Sequence, residues 1–597
     1  VAYERQVDRL LASPHHGERW GRFWLDLAGY ADSEGKREQD LPRHHAWRYR
    51  DYVVRAYNAD KPYDRFLLEQ IAGDELADVE HAPEITRELY ENLVATGFLR
   101  MAPDATWANI TGYLGDRVEV VADELDVLGS AVMGLTLKCA RCHTHKFDPI
   151  PQRDYYRLVD VFKGAYDEYN WLKPDVRPGI GPVSQDFVSG RLLPYVPAEE
   201  RRAWEAHEAT ISEEIAPLKQ ALSQKGDDPV SKVERAQLET RIKALEGRRR
   251  PVPQIQALWD RGEPSPTYLS RRGDPFTPGS LVGPGVPSVL TDGKTPFDVK
   301  PPWPGAKKTG RRLAFARWLT RPDHPLTARV AINLIWKHHF GAGIVKTLGN
   351  FGKTGSPPSH PELLDWLARE FAARGWSTKA IHRLILTSAT YRQSSAVSPD
   401  RERLDPDNAL CSRMPLARLD AEALFDALLV VSDQFDATFA GPSDPVQVRN
   451  DGMVTPTATD RGWRRLIYVR QTRKQIPTHL ENFDYPQMNP NCVERRDSTV
   501  APQALYMMNN AMVDRLAESF AKRIIRETGD DPARRIDRVY AVALGRPPDA
   551  EEKQAGLVAL KAIAATLSKE SQDGDGLKAL ATYCHAILNS AGFLYVD

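Results

Sequence analysis

The sequence predicts a mainly α-helical fold: two helical domains, with a coiled-coil helical-hairpin insertion and a small β segment between them. Three observations predict it. Apolar residues return at helical spacing along most of the 597 residues. A charged, alanine-rich stretch from Ala198 to Arg250 carries two such stripes on either side of Gly226-Asp227-Asp228-Pro229. Short apolar runs broken by Gly and Pro turns then fill the region from Pro251 to Pro304. The expected division is 1–165, 166–305 and 306–597, since a chain of this length holds more than one folded unit.

Taken in order, Val7, Leu10 and Leu11 stripe a first helix, and Trp20, Trp24 and Leu27 a second. Trp47, Val54 and Tyr57 mark a third that ends near Asn58; Phe66, Leu67 and Ile71 mark a fourth that stops at Gly73. Val121, Leu125, Leu128, Val132 and Leu135 predict a helix over 120–137 that delivers the chain to Cys139. Phe147-Asp148-Pro149-Ile150-Pro151 breaks the helical pattern before a short helix through Tyr155, Leu158, Val159 and Phe162. Residues 166–196, rich in Pro and Gly, read as a loop.

In the hairpin, Ile211, Ile215, Leu218 and Leu222 face Val233, Leu238, Ile242 and Leu245. Ile255 to Trp259 and Thr267 to Leu269 are the β runs. Beyond 310 the helices return. Ser359-His360-Pro361-Glu362 predicts a capping box opening a helix through Phe371. Ser377 caps the next helix, and further helices end before Gly529 and Gly545.

Composition narrows the function classes. The 80 basic and 81 acidic residues leave a formal charge of -1, so nothing in the overall charge points to nucleic acid or an anionic membrane. No apolar run is long enough for a transmembrane helix. The chain starts at Val1 without a charged-then-apolar leader, the pattern expected of a processed product.

Only five cysteines occur, and two of them stand in Cys139-Ala140-Arg141-Cys142-His143. This C-x-x-C-H pattern is the attachment motif of c-type haem. Each thiol adds to a vinyl group, and the adjacent imidazole faces the iron. Cys139, Cys142, His143 and His145 are the candidate cofactor-binding residues, with His143 the metal ligand. Two other chemistries use the same residues. Zinc would take Cys139, Cys142 and His143 or His145, and a redox dithiol would take the cysteine pair alone.

His145 is placed to meet a haem propionate, to orient His143, or simply to pack. Arg141 and Lys146 are either propionate partners or surface charges. Met133 is expected in the core and Met414 lies far downstream, so a distal Met has no local support. His15, His16, His44 and His45 are alternative distal ligands, whereas His338 and His339 lie on an apolar helix. Tyr30, Asp32, Arg50, Asp51, Arg464, Arg465 and Tyr468 are polar residues in apolar surroundings, lining a cleft or forming structural pairs.

The run Gly134 to Ile150, with Gly17-Glu18-Arg19-Trp20, Tyr49-Arg50-Asp51, Asp60-Lys61-Pro62-Tyr63-Asp64 and Ala72-Gly73-Asp74, resembles the planctomycete-type cytochrome c proteins. These pair a PSCyt2 (DUF1549) domain with a PSD1 (DUF1553) domain. The second half carries matching pieces at Pro357 to Trp366, Ser388 to Arg392, Arg418 to Glu422 and Leu544 to Pro548. Thr144 stands where the family usually has Asp, and Leu334 where it often has Arg.

The resemblance and the motif together imply covalent haem c and a periplasmic or otherwise exported protein. Three functions fit. The first is a haem c-dependent oxidoreductase acting on a carbohydrate or related small organic substrate. The second is an electron-transfer subunit that docks a redox partner protein such as a dehydrogenase. The third is a zinc-stabilised binding module.

Overall fold

The computed structural model describes residues 1–36, 40–106, 113–172, 192–224, 229–567 and 575–596. Helices dominate it, and the sheets are small. The first part of the chain forms α1 (Ala2–Leu11), α2 (His16–Ala28), α3 (Ala46–Asn58), α4 (Tyr63–Ala72), α5 (Arg87–Ala95), α6 (Leu114–Leu128) and α7 (Gln152–Phe162). The expected apolar stripes account for these helices, except that Leu10 faces solvent. Trp24 is buried, and its indole N–H is shared between the Tyr49 hydroxyl at 2.9 Å and Gln70 Oε1 at 3.0 Å, so the ring fills the core with its polar edge satisfied.

The helix expected over 120–137 is interrupted. Its α-helical part ends at Leu128, a π-turn follows over Gly129–Met133, and Gly134 takes a left-handed conformation with φ 59°. A Cβ at Gly134 would stand 2.7 Å from the Phe351 ring, and the Gly134 carbonyl accepts from Phe351 N at 2.7 Å. The packing of a distant segment thus ends the helical run at Met133, four residues before the expected end. Met133 is buried, as its position predicted.

The charged stretch forms α8 (Ala198–Ser223) and α9 (Pro229–Glu246). Ile211 and Ile215 are buried, while Val233, expected in the facing stripe, is exposed. Polar ties fix the base of the pair: Trp204 Nε1 donates to the Arg250 carbonyl at 3.0 Å, and Arg249 Nη1 donates to Glu208 at 2.8 Å. Residues 226–228 of the expected turn, and most of the expected loop over 166–196, lie outside the described residues. The β segment consists of two antiparallel pairs. β1 (Leu192–Leu193) joins β2 (Ile255–Gln256), and β3 (Thr267–Ser270) joins β4 (Pro278–Val282).

The remaining chain forms α10 (Arg311–Leu319), α11 (Thr327–Phe340), α12 (Pro361–Ala373), α13 (Thr378–Leu386), α14 (Pro399–Leu404), α15 (Ala421–Val431) and α16 (Thr478–Asn482). It closes with α17 (Ala501–Asn509), α18 (Ala511–Thr528), α19 (Pro532–Ala543), α20 (Ala550–Leu567), α21 (Asp575–Leu588) and α22 (Ala591–Leu594). Ser377 caps α13 by accepting from Ala380 N at 3.0 Å. The capping box expected at Ser359 does not form, because that hydroxyl turns to the Ile344 carbonyl and α12 starts on Pro361.

Buried apolar residues fall into two cores. The first runs from Trp24 to Ile385 and adds Ile467 and Tyr468; it is continuous across residue 305, where Phe162 meets Phe315 with centroids 5.7 Å apart. The second starts at Ala421 and ends at Phe593. Among the described residues, no helix is long and apolar enough to cross a membrane.

Candidate functional site

After Gly134 the chain makes a 3-10 turn over Leu137–Arg141. Leu137 and Ala140 point into the core and anchor it. In a 3-10 turn, residues three apart eclipse one another, which brings Cys139 and Cys142 to one side. Both thiols are free and exposed. Arg141 donates to Glu119 at 2.6 Å and Lys138 to Asp123 at 2.9 Å, so both cations are spent on α6. The Arg141 carbonyl accepts from Gln152 at 2.8 Å and from the Tyr156 hydroxyl at 3.0 Å. Cys142 Sγ lies against Gly273, just past β3, whose φ is 76° and whose added Cβ would stand 2.6 Å from that sulfur.

His143 is exposed, and its Nδ1 lies 2.7 Å from the Thr144 carbonyl. A carbonyl only accepts, so this contact assigns the proton to Nδ1 and leaves the Nε2 lone pair free. His145 is the opposite case. It is buried, and its Nδ1 accepts from Asp148 N at 2.9 Å and Phe147 N at 3.3 Å. Its Nε2 must then carry the proton, directed at Thr136 Oγ1 at 3.2 Å. With no lone pair left over, His145 braces the loop rather than facing outward. Asp148 carries the brace across the molecule by accepting from Lys353 N at 2.7 Å.

Covalent haem needs two accessible thiols on one face and one imidazole lone pair. Cys139, Cys142 and His143 fit that need. Among the described residues, the cavity beside the turn, between Arg141, Tyr155, Tyr156 and Tyr268, holds about 50 Å³. Pockets for cofactor-sized molecules run to several hundred Å³. Exposed rings stand on the same loops: Phe147, Tyr268, and Phe276 against Tyr113 with centroids 6.4 Å apart. Lys146 sits 5.3 Å over Phe147. Among the described residues, no group of three or more His, Cys, Asp or Glu is placed to hold a metal ion.

The other histidines are engaged elsewhere. His15 pairs with Glu18 at 2.6 Å. His16, His339 and His382 gather round Trp20, with His339 Nε2 and His382 Nδ1 at 3.0 Å, and His338 stacks on Phe23 with centroids 3.6 Å apart. Burial lowers His16 and His339 to about 4 and pushes His338 and His382 well below the usual imidazole range. Spacing alone gave no signal for this cluster, which joins α2, α11 and α13.

His44 and His45 line a cleft of about 540 Å³ between α3 and the base of the hairpin. Trp47 and Trp204 are among its walls, with Arg48 held by Glu200 at 2.5 and 3.0 Å and Arg43 by Glu34 at 2.6 and 2.9 Å. Trp204 carries no signal in the sequence, because its meeting with α3 depends on how the hairpin docks.

The polar residues expected to line a cleft or pair within the fold mostly pair. Tyr30 donates to Asp32 at 2.7 Å, Arg50 to Asp51 at 2.7 Å, and Arg464 to Asp444 at 2.7 Å. Tyr468 donates to Glu18 at 2.8 Å. Asn333, beside the departure at Leu334, exchanges two hydrogen bonds with the Val345 backbone and serves the fold.

Residues 1–167 match the family model PSCyt2, a protein of unknown function (DUF1549), and residues 311–560 match PSD1, a protein of unknown function (DUF1553). No curated protein and no solved structure matches the chain. The cysteine turn falls inside the first match, and the hairpin and the β segment lie between the two. The chain is a member of the proteins that join a PSCyt2 domain to a PSD1 domain.

Proposed function

We propose that this protein carries one covalently attached c-type haem, which Cys139, Cys142 and His143 would hold, and works as an oxidoreductase on a carbohydrate or related small organic substrate. The observation that supports it is the pairing of two free, exposed thiols at one tight turn with an adjacent imidazole engaged through Nδ1 only, among the described residues. When bound, the haem supplies one-electron exchange at iron.

The chain's own residues do the holding. Leu137 and Ala140 fix the turn, the Thr144 carbonyl sets the His143 tautomer, and His145 ties the loop after the motif to Thr136. The cleft lined by Trp47 and Trp204 supports the carbohydrate reading. Indole faces suit the C–H faces of sugar rings, while its arginines and histidines suit hydroxyl groups. Covalent haem attachment is completed outside the bacterial cytoplasm, so this reading carries with it an exported, periplasmic protein.

One observation favours a second reading, an electron-transfer subunit. His143 is exposed, and the cavity beside the turn among the described residues holds only about 50 Å³, which would leave the haem edge open to a docking partner.

The deciding experiment is expression in a host competent for cytochrome maturation, followed by a pyridine haemochrome assay and mass spectrometry of the peptide bearing Cys139 and Cys142. Haem mass on that peptide is expected; an unmodified peptide, or one bound zinc per chain, overturns the proposal. Carbon monoxide binding to the ferrous form supports the oxidoreductase, and its failure to bind supports electron transfer.

A further inference from the structure

Between α2 and α15 lies a cavity of about 200 Å³, lined mainly by charged residues, that the haem proposal does not use and that does not depend on it. His15, Glu18 and Arg19 wall it on one side, Glu422 and Asp426 on the other, and Arg465 closes it. The two walls come from the two matched families, through Gly17-Glu18-Arg19-Trp20 and the segment opened by Arg418-Leu419-Asp420-Ala421-Glu422.

We propose that this cavity binds a small, oxygen-rich organic anion of monosaccharide size, seated on Arg19, Arg465 and His15.

The hydrogen-bond inventory of the walls carries the inference. Both glutamates are already tied. Glu18 accepts from Tyr468 at 2.8 Å on one oxygen and faces His15 Nδ1 at 2.6 Å on the other, with Arg465 Nε 2.8 Å away but outside hydrogen-bond geometry. Glu422 is gripped by Arg495 at 2.7 and 2.8 Å and approached by Arg22 Nε at 3.2 Å. The unused capacity belongs to donors. A guanidinium has five N–H groups. Arg465 spends one, on Asp426, with its Nε ion-paired to Glu18 but not hydrogen-bonded, and Arg19 spends one on Asp420. His15 is engaged through Nδ1 only, among the described residues.

Asp426 supplies the one unmatched acid. Its Oδ2 accepts from Arg465, but its Oδ1 is buried with no hydrogen-bond partner. Burial and the neighbouring Glu18 carboxylate, opposed by Arg465, push this carboxyl up to about 7, so a proton is available there at neutral pH. Arg19, Arg22 and Arg465 line the cavity beside Glu18, Glu422 and Asp426, and N–H groups of these guanidiniums remain unspent. Unspent donors suit an anion that also carries hydroxyl oxygens. The volume is room for roughly six waters, and a polar cavity of that size is otherwise only a hydrated void.

Isothermal titration calorimetry of the full chain at pH 7, with D-glucuronate as the anionic probe and D-glucose as its neutral counterpart, tests the site. One glucuronate is expected to bind, with glucose at least about tenfold weaker. Arg19→Gln, at a half-exposed position, is expected to weaken glucuronate about tenfold with the melting temperature unchanged. Asp426→Ala is expected to weaken it as well, and His15→Gln takes the place of Arg19→Gln should that variant fail to fold. A hydrated void only, seen as no glucuronate heat, overturns the proposal. Equal binding of glucose, or undiminished binding in these variants, overturns it too. The haemochrome read on the same sample keeps a failure of the haem proposal separate from a failure of this one.

Discussion

Asp74 and Arg312 meet without solvent, Arg312 Nη2 standing 2.8 and 2.9 Å from the two Asp74 oxygens across 238 residues of chain. Around them, Asp74 accepts from Asp260 N at 2.8 Å, Lys308 donates to the Asp74 carbonyl at 2.7 Å, and Leu313 N donates to Glu75 at 2.9 Å. Burial opposes ionisation of Asp74, but Arg312 and Lys308 overcome it and hold the carboxyl below its usual range. The first matched family, the β segment and the second matched family are thus locked at one point.

Removing one partner of such a pair leaves the other charge buried. Arg312→Met is expected to destabilise the protein by roughly 3–5 kcal/mol, while Asp74→Asn with Arg312→Met together should recover part of the loss. Urea unfolding of the single and double variants measures this. A single variant within about 0.5 kcal/mol of wild type would contradict the lock.

The histidine cluster around Trp20 makes the seam sensitive to acid. His16 and His339 titrate at about 4 in the folded protein, against 6.5 in an unfolded chain. As pH falls below 6.5 the unfolded state takes up protons first, so stability drops between pH 6.5 and 4. Each group accounts for up to about 3 kcal/mol of that drop. His339→Gln should flatten the slope in urea midpoints taken at pH 7, 6 and 5. An identical slope in the variant would refute the assignment.

Thiol accessibility is sharply divided in the haem-free chain. Cys139 and Cys142 are exposed, Cys411 and Cys492 are half-buried, and Cys584 is buried. Burial raises Cys492 to about 11, and raises Cys411 and Cys584 as well. Maleimide labelling under native conditions should modify two cysteines rapidly and the rest only on unfolding. Peptide mapping that finds the fast label elsewhere would be the contrary result.

Gly273 holds Cys142 in place from the neighbouring strand pair. Gly273→Ala adds a methyl 2.6 Å from the sulfur at a φ of 76°, so the turn or the strand pair must shift. A loss of stability of about 1–3 kcal/mol is expected. Faster labelling of Cys142 should accompany it, and unchanged labelling and stability would show the contact to be slack.

Acceptor loss at His145 isolates its bracing role. His145→Ala leaves the Asp148 amide without its partner and should destabilise the protein by about 1–3 kcal/mol. The haem-attachment residues remain untouched. Under the proposed function, haemochrome yield per folded chain should therefore stay near wild type, and a spectrum altered at the axial ligand would show His145 acting at the iron instead.

Much of this architecture is decided locally and was legible in the residue order. Apolar spacing in α2, α3 and α7, the Ser377 cap and the paired stripes of α8 and α9 each depend on neighbours within a turn or two. The cysteine motif is local as well: a two-residue gap on a tight turn puts both sulfurs on one face. What no local pattern specifies is which distant surface arrives. The helix before the motif stops at Gly134 because Phe351 packs there, and His145 turns inward because Thr136 and the amides of Phe147 and Asp148 claim both its nitrogens. The seam cavity exists because Glu18 and Tyr468, 450 residues apart, are brought within hydrogen-bond reach. Such contacts depend on the register in which whole elements dock, and side-chain periodicity within one element carries no information about that register.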